Sequence, residues 1–324
     1  MRSARLHGLR DLRVDLVERP SPGPGELLVA IDVCGVCSTD ARKFQLGPND
    51  GNYPFNPGHE WVGQVAEIGP DVAGWDAGDA VFGDTYCGYA EYGLITTAPT
   101  DWSCGALRID TNLPPVRGVF VEPLADCLHA VGDQARLKPG ERVVVVGAGV
   151  MGLQLVAVAA RAGGRVLVVE PLDQRQSLAR ELGAESVVGP ERWPSAALEW
   201  SDGSGADVVI VALGSTAAIK DGMAAAAPGA RIVAFAGFGT APEATIDLNL
   251  LHYRELSLVG SEWIGTPPNQ RRERYAESLA ILESGELELE KLVDRRCSLE
   301  QAAEVLSGFG EHGAVKTVIE IGGA

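Results

Sequence analysis

The second half of the chain alternates short apolar runs with helical patterns. VVVVG begins at Val143 and is followed by an Ala-rich helical pattern over Val150–Ala162; RVLVVE, DVVIVAL and ARIVAFAG come next, with helical patterns between them. Continuous β-branched runs are typical of strands that are buried on both faces, and strands that alternate with helices form parallel sheets. The pattern therefore predicts an α/β fold built on a doubly wound parallel sheet.

In the first part of the chain, the apolar positions recur with a period of two residues. Segments such as ELLVAIDVCGV and WVGQVAEIG alternate apolar and polar positions. Clusters of turn residues, for example PSPGPG and DAGD, separate these segments. Strands joined by tight turns give this pattern, so a β-rich domain is predicted here.

The closing segment returns to the character of the first part. A predicted helix over Arg272–Glu283 leads to the strand KLVDRRC, then to a helix that Ser298 and Gln301 cap, and finally to the strand KTVIEI. We interpret this segment as part of the first domain, completed after the sheet domain has been formed. The predicted boundaries are 1–124 with 269–324 for the β-rich domain, and 125–268 for the domain with the parallel sheet.

The run VVVVGAGVMG carries a GxGxxG pattern between a predicted strand and a predicted helix. Gly147 permits the tight turn, Gly149 lets the backbone approach a pyrophosphate, and Gly152 lets the helix pack closely on the strand. The helix N-terminus offers free N–H groups and partial positive charge to the phosphates. We interpret this arrangement as the nucleotide-binding turn of a Rossmann domain; the alternative is an ordinary βα turn that binds nothing.

Glu170, at the end of the second predicted strand, bears on the choice between the two nicotinamide cofactors. A carboxylate there accepts hydrogen bonds from the adenosine ribose hydroxyls and repels a 2′-phosphate. Pro171 and Leu172 follow it, so no adjacent cation would receive that phosphate, and Arg175 lies farther on. We therefore predict NAD as the cofactor. The predicted cofactor-binding residues are Gly147, Gly149, Val150, Met151, Gly152, Glu170, Arg175 and Leu213.

Composition and charge narrow the range of partners. The formal net charge is −17, which argues against a nucleic-acid or anionic-membrane partner. No apolar run reaches the length of a membrane span, and the basic N-terminal stretch lacks the apolar core of a secretory signal. We expect a cytoplasmic protein that acts on a small molecule, with its six cysteines present as reduced thiols or metal ligands.

Three segments of the first half carry side chains that bind metals. They are CGVCSTD with Cys34 and Cys37, PGHEWVGQV with His59 and Glu60, and FVEPLADCLHAV with Glu122. A thiolate, an imidazole and a carboxylate form a three-ligand site with an open fourth position, as catalytic zinc requires. Each segment also has an ordinary interpretation: a redox pair or two buried thiols, a structural histidine, and a solvated acid. Spacing alone leaves both interpretations open.

The segment GHEWVGQVAEIGPDVAGWDAGDAVFG resembles the signature of zinc-dependent medium-chain alcohol dehydrogenases, and GVCSTD, VEPLA and GAGVMG stand at the matching places. The VEPLA segment is similar to the polyol branch, which includes sorbitol, threonine and deoxy-inosamine dehydrogenases. The resemblance implies a GroES-like catalytic domain in the β-rich part and a Rossmann NAD-binding domain. It also implies assembly as a homodimer or homotetramer.

The resemblance assigns roles to individual residues as well. Thr39 would hydrogen-bond the substrate oxygen, and Cys34 would be a buried neighbour of the metal site. Zinc lowers the pKa of a bound alcohol, and NAD accepts the hydride that the resulting alkoxide expels. The implied ligands of the one catalytic zinc are Cys37, His59 and either Glu60 or Glu122. The predicted catalytic residues are Cys37, Thr39, His59 and Glu60.

The chain departs from the family pattern at the lobe that binds a structural zinc in many relatives. That region is short here, and its two cysteines, Cys87 and Cys104, stand far apart in the sequence. Two distant thiols do not supply a closed Cys₄ site. We therefore predict one catalytic zinc per subunit and no structural zinc.

A second departure concerns the route of the proton. Many relatives pass it to a histidine five residues after the zinc cysteine, but Arg42 occupies that position here and stays protonated. The proton would then leave from Thr39 through water, or through Glu60 or Asp40.

Asp126 stands one helical turn after the VEPLA glutamate. Residues four apart share a face of a helix, so this acid could approach the nicotinamide or a polar group of the substrate. The alternative is an acid at the start of a helix that the helix dipole favours.

Together these features predict an NAD-dependent, zinc-containing dehydrogenase that oxidises a secondary alcohol of a polyol, cyclitol or sugar-like substrate, or reduces the matching ketone. The alternative within enzymes is a zinc-free medium-chain reductase of quinones or enones, but such relatives usually lack the cysteine and the GHE histidine. The alternative of another class is a non-catalytic NAD-binding sensor or structural protein.

Overall fold

The computed structural model describes residues 1–239, 242–263, 266–310 and 313–322. The chain divides into two compact units, one formed by Met1–Glu122 with Thr266–Ala324 and the other by Pro123–Gly265. The domain boundaries placed from the sequence after residues 124 and 268 stay a prediction.

The strands and helices follow one another along the chain in the order expected for a β-rich unit that surrounds an α/β unit in sequence. The strands are β1 (Arg2–Gly8), β2 (Asp11–Leu16), β3 (Glu26–Gly35), β4 (Trp61–Ile68), β5 (Ala80–Gly83), β6 (Tyr92–Thr96), β7 (Leu107–Arg108), β8 (Arg142–Val146), β9 (Arg165–Val169), β10 (Ser186–Val188), β11 (Ala206–Val211), β12 (Ala226–Ala234), β13 (Ser257–Gly260), β14 (Val293–Ser298) and β15 (Lys316–Glu320). The α-helices are α1 (Ser38–Leu46), α2 (Pro115–Gly118), α3 (Val121–Leu128), α4 (Val150–Arg161), α5 (Asp173–Glu181), α6 (Trp193–Trp200), α7 (Thr216–Ala225), α8 (Leu248–Tyr253), α9 (Pro268–Glu283) and α10 (Ala302–Ser307).

The first unit is built on a mostly antiparallel sheet. Its strands lie in the order β14-β15-β3-β4-β5-β7, and β6 also pairs with β3. The closing strand β15 pairs with β3, which is how the last segment of the chain joins the first. Alternating apolar positions of β3 and β4, including Val29, Ile31 and Val65, are buried in a core that also contains Ile319. The predicted β-rich fold is confirmed.

The second unit contains a six-stranded parallel sheet in the order β10-β9-β8-β11-β12-β13. Renumbered within the unit, this is the order 3-2-1-4-5-6 of a Rossmann sheet. Val143–Val146 of β8 and Val166–Val169 of β9 are each at most 3% exposed, because helices cover both faces of such a sheet. The predicted doubly wound parallel sheet is therefore confirmed.

Two helices of the first unit differ from their predicted form. The helix expected over Arg272–Glu283 begins earlier, at Pro268, since proline is well suited to the first position of a helix. Ser298 and Gln301 form the predicted capping box, but the segment they cap is a 3₁₀ turn over Leu299–Gln301 before α10 begins. None of the described helices combines the length and the apolar character that crossing a bilayer requires.

Candidate metal and cofactor sites

Side chains from two distant segments of the first unit converge where β3 ends and β4 begins. β3 and β4 are antiparallel neighbours with Cys34 opposite Trp61, so the residues just beyond them meet at the same edge. Ligand atoms of Cys37, His59 and Glu60 all lie within 4.8 Å of one another. A sulfur, an imidazole nitrogen and a carboxylate oxygen at this spacing suit a zinc ion with three protein ligands.

Cys37 sits at the N-terminus of α1. It is the N-cap residue, and its Sγ accepts a long hydrogen bond of 3.5 Å from the Thr39 N–H while Asp40 accepts one of 3.2 Å from the Cys37 N–H. Free N–H groups at a helix N-terminus stabilise negative charge, which a thiolate ligand carries. The capping sequence CSTD thus both starts the helix and positions the thiol.

Asp40 connects the helix to His59. It is fully buried, its Oδ1 accepts a hydrogen bond of 3.0 Å from the Gly58 N–H, and the same oxygen lies 3.4 Å from His59 Nδ1 without hydrogen-bond geometry. Burial by itself lowers the pKa of His59, but its interactions with Asp40 and Cys37 together outweigh burial and raise that pKa well above its usual value. Asp40 is thus placed to fix the orientation of the imidazole, as carboxylates behind metal-bound histidines do.

Glu60 forms a buried ion pair with Lys316 of β15. The two side chains are 2% and 1% exposed, and Lys316 Nζ donates to Glu60 Oε2. Lys316 Nζ also lies 5.7 Å from the centre of the Phe120 ring. Burial lowers the pKa of Lys316, but the charges of Glu60, Cys37 and Glu122 and the hydrogen bond to Glu60 together outweigh burial and raise that pKa. One carboxylate oxygen of Glu60 is therefore committed to Lys316, and the other remains available to a metal.

The remaining candidates for metal binding are placed differently. Glu122 lies outside the group defined by the 4.8 Å limit, although its charge acts on Tyr86 and Lys316. Cys34 is fully buried, and burial raises the pKa of its thiol well above the usual value. A neutral thiol is a poor zinc ligand. In this conformation Glu60, rather than Glu122, is the carboxylate within reach of Cys37 and His59.

The two cysteines of the shortened lobe serve local contacts. Cys87 Sγ lies 3.3 Å from Thr85 Oγ1, and buried Cys104 Sγ donates to the Gly105 carbonyl at 3.0 Å. Burial raises the pKa of both thiols, that of Cys87 to about 11. Within the described ranges neither thiol belongs to a cluster of three potential metal ligands. That the protein binds no structural zinc stays a prediction.

The glycine-rich turn of the second unit joins β8 to α4. Gly147 has φ +97°, a conformation that favours glycine, and Gly149 is the N-cap residue of α4. A Cβ on Gly152 would lie 1.9 Å from the Gly147 carbonyl oxygen, so only glycine fits there. A Cβ on Gly149 would meet no atom within 4 Å, which leaves the backbone open to a ligand on that side.

Glu170 holds this turn in place. It is 3% exposed; Oε2 accepts a hydrogen bond of 2.8 Å from the Ala148 N–H, and Oε1 accepts one of 3.0 Å from the Leu172 N–H. Each oxygen keeps one further lone pair for a ribose hydroxyl. The carboxylate therefore shapes the cofactor turn itself, a role that its position in the sequence did not suggest.

The other predicted cofactor residues lie in the segments that follow β8, β9 and β11. Val150 and Met151 are the first two residues of α4, and Arg175 lies in the first turn of α5. Leu213 follows β11, and its Cδ2 would lie 3.0 Å from a Cβ placed on Gly147. Parallel strands β8, β9 and β11 are adjacent, so the segments that follow them meet at one edge of the sheet.

Comparisons with known proteins agree with this geometry. Residues 23–123 match the alcohol dehydrogenase GroES-like domain, and residues 150–284 match the zinc-binding dehydrogenase family. The 2-dehydro-3-deoxy-L-galactonate 5-dehydrogenase of Pseudoalteromonas atlantica is 30% identical over 93% of each chain. The chain belongs to the zinc-type medium-chain alcohol dehydrogenase superfamily.

Two further members of the superfamily are similar along most of their length. The L-threonine 3-dehydrogenase of Pyrococcus horikoshii is 29% identical over 86% of each chain. A solved zinc-binding dehydrogenase of Sinorhizobium meliloti 1021, bound to NADP, has a TM-score of 0.86 and 27% identity, and the similarity covers 98% of both chains. The family resemblance read from the motifs is confirmed.

Two residues of this dehydrogenase were missed by the sequence analysis, Lys316 and Lys43. Both are lysines buried to 2% and 6% exposure. Lys316 is the first residue of a strand whose next three residues are buried. A lysine inside the apolar run AVKTVIEI indicates a buried cation, which requires an anionic partner, and this signal was overlooked. Lys43 stands in α1 beside the apolar Phe44, where no periodicity marks it as buried.

Asp126 of this dehydrogenase lies in the second turn of α3, so the helix dipole does not account for it. Its Oδ1 is buried and makes no hydrogen bond within the described part of the chain. Burial raises the pKa of Asp126 to about 7, and the charge of Glu262 adds to the rise. The ionised carboxylate is thus disfavoured in the folded protein.

Replacing Asp126 with Asn should stabilise the protein at pH 8 by about 2 kcal/mol and have no such effect below pH 4. The folded pKa of Asp126 is raised above its unfolded value of 3.8, so its contribution to stability is present at low pH and is lost as the pH rises toward 7. Urea unfolding at several pH values measures the difference. Asp173→Asn, at an exposed acid of α5, is the control, and a gain that does not change with pH would contradict the prediction.

Proposed function

We propose that this protein is an NAD-dependent dehydrogenase with one catalytic zinc, which oxidises a secondary alcohol of a polyol, cyclitol or sugar-like substrate or reduces the matching ketone. The observation that carries the proposal is the convergence of Cys37, His59 and Glu60 in a member of a zinc-dependent family. Relatives whose names specify hydroxylated substrates, L-threonine and 2-dehydro-3-deoxy-L-galactonate, support the substrate class. We propose a homodimer or homotetramer in the cytoplasm.

Each residue of the proposed site has a distinct task. Bound zinc would supply Lewis-acid stabilisation of the alcohol oxygen, and NAD would supply the hydride acceptor. Cys37, His59 and Glu60 would hold the metal, with Glu122 as the alternative carboxylate. Asp40 orients His59, and Lys316 neutralises Glu60, so that the site does not combine two uncompensated anions.

The second unit would hold the cofactor. Gly147, Gly149 and Gly152 with the N-terminus of α4 would receive the pyrophosphate. Glu170 supports NAD over NADP, because its buried carboxylate would repel a 2′-phosphate, and neither Pro171 nor Leu172 offers a compensating cation. We propose that the unit of residues 1–124 and 269–324 is catalytic and that residues 125–268 bind the cofactor.

Metal analysis combined with a substrate screen tests this function. Protein purified without chelator is assayed for zinc, then mixed with polyols, cyclitols and amino sugars, with NAD or NADP, while the absorbance of the reduced nicotinamide is followed. We expect about one zinc per chain and faster reduction of NAD than of NADP. Reduction of quinones or enones by metal-free protein would overturn the proposal, as would NAD binding without turnover of any alcohol.

Thr39 is the proposed hydrogen-bond partner of the substrate oxygen. It is the second residue of α1, half-buried, two residues after the N-cap Cys37. Thr39→Val should lower kcat by about 100-fold or more, the usual effect of losing a group that transfers a proton, and leave the Kd for NAD within about twofold. Steady-state kinetics and fluorescence titration with NADH measure the two quantities. Thr39→Ser, which keeps the hydroxyl, is the control; unchanged turnover in the valine variant would reject the role.

A further inference from the structure

Lys43 is a buried cation that the proposed reaction does not use. It lies on α1 and is 6% exposed. Its Nζ lies 5.3 Å from the centre of the Phe55 ring and 5.0 Å from the centre of the Tyr86 ring. Two aromatic faces attract the ammonium but supply no hydrogen-bond acceptor for its three N–H groups.

Tyr86 places this cation beside the metal site. The Tyr86 ring packs against the His59 ring with a centroid distance of 4.9 Å, and the Phe55 ring packs on Tyr86 at 5.2 Å. One aromatic ring therefore separates Lys43 Nζ from a proposed zinc ligand.

The charges around Lys43 leave it without an anionic partner. Burial lowers the pKa of Lys43, and the charge of neighbouring Arg42 lowers it further. The charges of Asp40 and Asp50 raise the pKa of Lys43, but neither acid forms an ion pair with it. Asp40 accepts hydrogen bonds from the Cys37 and Gly58 N–H groups. Asp50 accepts hydrogen bonds from Asn52. Within the described ranges no ion pair involves Lys43.

An ammonium on a largely buried side chain that lacks an anionic partner is stabilised when a ligand brings one. A carboxylate supplies short, charge-assisted hydrogen bonds and also offsets the desolvation of the lysine. A neutral hydroxyl offers the same acceptor geometry without the compensating charge. The positive field of Arg42 and Lys43 together adds to the preference for an anionic ligand.

We propose that Lys43 binds a carboxylate group of the substrate, so that the site selects hydroxy acids over neutral alcohols. The inference rests on the proposed function and refines its substrate class. The alcohol to be oxidised would lie at Cys37 and His59, and the carboxylate would lie several carbons away, on the Lys43 side of the Tyr86 ring. Lys43 is thus a specificity-determining residue.

Matched pairs of substrates test the inference. D-Gluconate is compared with sorbitol, and L-galactonate with galactitol, using zinc-loaded enzyme and NAD. We expect wild-type kcat/KM to be at least about 10-fold higher for the acid in at least one pair, the effect of one charge-assisted hydrogen bond. Lys43→Met should remove that preference and change kcat/KM for the neutral partner less than threefold.

Two further variants keep the test sharp. Lys43→Arg retains the charge and should retain most of the preference, while Lys291→Met removes an exposed lysine of the same unit and should change nothing. Calorimetric titration with each acid gives a Kd that does not depend on turnover. We expect Lys43→Met to raise that Kd by about 10-fold.

Several outcomes would overturn the inference. One is wild-type enzyme that oxidises neutral polyols and shows no preference for any acid, which would leave the proposed function intact. Another is a Lys43→Met variant in which kcat/KM falls equally for the acid and for its neutral partner, because Lys43 would then only support the packing of the two aromatic rings. A wild-type protein that neither binds nor oxidises any member of the panel overturns both proposals.

Discussion

Replacing Cys37 with Ala should abolish the proposed zinc binding and lower kcat/KM for any alcohol substrate by about 1000-fold or more. The thiol is the N-cap of α1, and its sulfur shares a 4.8 Å group with His59 and Glu60. Loss of one of three protein ligands leaves two, which is too few for a tight zinc site. Several kcal/mol of metal-derived transition-state stabilisation would disappear, and each 1.36 kcal/mol is tenfold in rate.

Cys34 provides the matched control for this experiment. It is a thiol three residues earlier in the same CxxC segment, buried and outside the ligand group. Cys34→Ala should keep about one zinc per chain and lose only packing stability, measured as a lower Tm. Zinc content by elemental analysis and kcat/KM on the best substrate of the screen decide the result. Equal zinc content in the two variants would exclude Cys37 as a ligand.

The parallel sheet and the glycine turn of the second unit could both be predicted from local sequence patterns. The apolar runs of β8, β9 and β11 are continuous because helices cover both faces of the sheet, and runs of this kind are visible in any sequence. The glycine turn is also recognisable locally, because its three glycines lie within six residues. The strand order was not predicted, because it depends on which strands pair across the sheet and not on any local run of residues.

The candidate metal site could be predicted only in part. Cys37, His59 and Glu60 stand in recognisable motifs, and the antiparallel pairing of β3 with β4 brings those motifs together. Lys316 enters from β15, 256 residues beyond Glu60, and no spacing rule links positions so far apart. The contact requires that the last strand of the chain pairs with β3.

Polar contacts within each unit were also hidden from the sequence. Glu170 was expected to act on the cofactor, but its carboxylate first satisfies the Ala148 and Leu172 N–H groups. Asp40 was considered only as a proton carrier, whereas its buried oxygens link Cys37, Gly58 and His59. The sequence does not show which groups an acidic side chain will hydrogen-bond, because these contacts depend on tertiary packing.

Replacing Lys316 with Met should lower the free energy of unfolding by about 3–5 kcal/mol. The substitution keeps the length of the side chain but leaves the Glu60 carboxylate buried at 2% exposure without its cation. A buried charge that loses its partner is far more costly than the pair itself. Urea unfolding of metal-free protein measures the loss without a contribution from bound zinc.

A double-mutant cycle separates the ion pair from side-chain packing. Lys316→Met combined with Glu60→Gln removes both charges, so we expect the double variant to recover at least about half of the loss. Arg296→Met breaks an exposed pair between β14 and β15, where Arg296 and Glu320 are 53% and 50% exposed, and should cost less than about 1 kcal/mol. Equal losses of unfolding free energy in Arg296→Met and Lys316→Met would exclude burial of the Glu60 charge as the cause. A double variant that is no more stable than Lys316→Met would exclude it as well. Recovery in the double variant would mean that Lys316 compensates the buried charge of Glu60, and that the ion pair as a whole adds little to the stability of the fold.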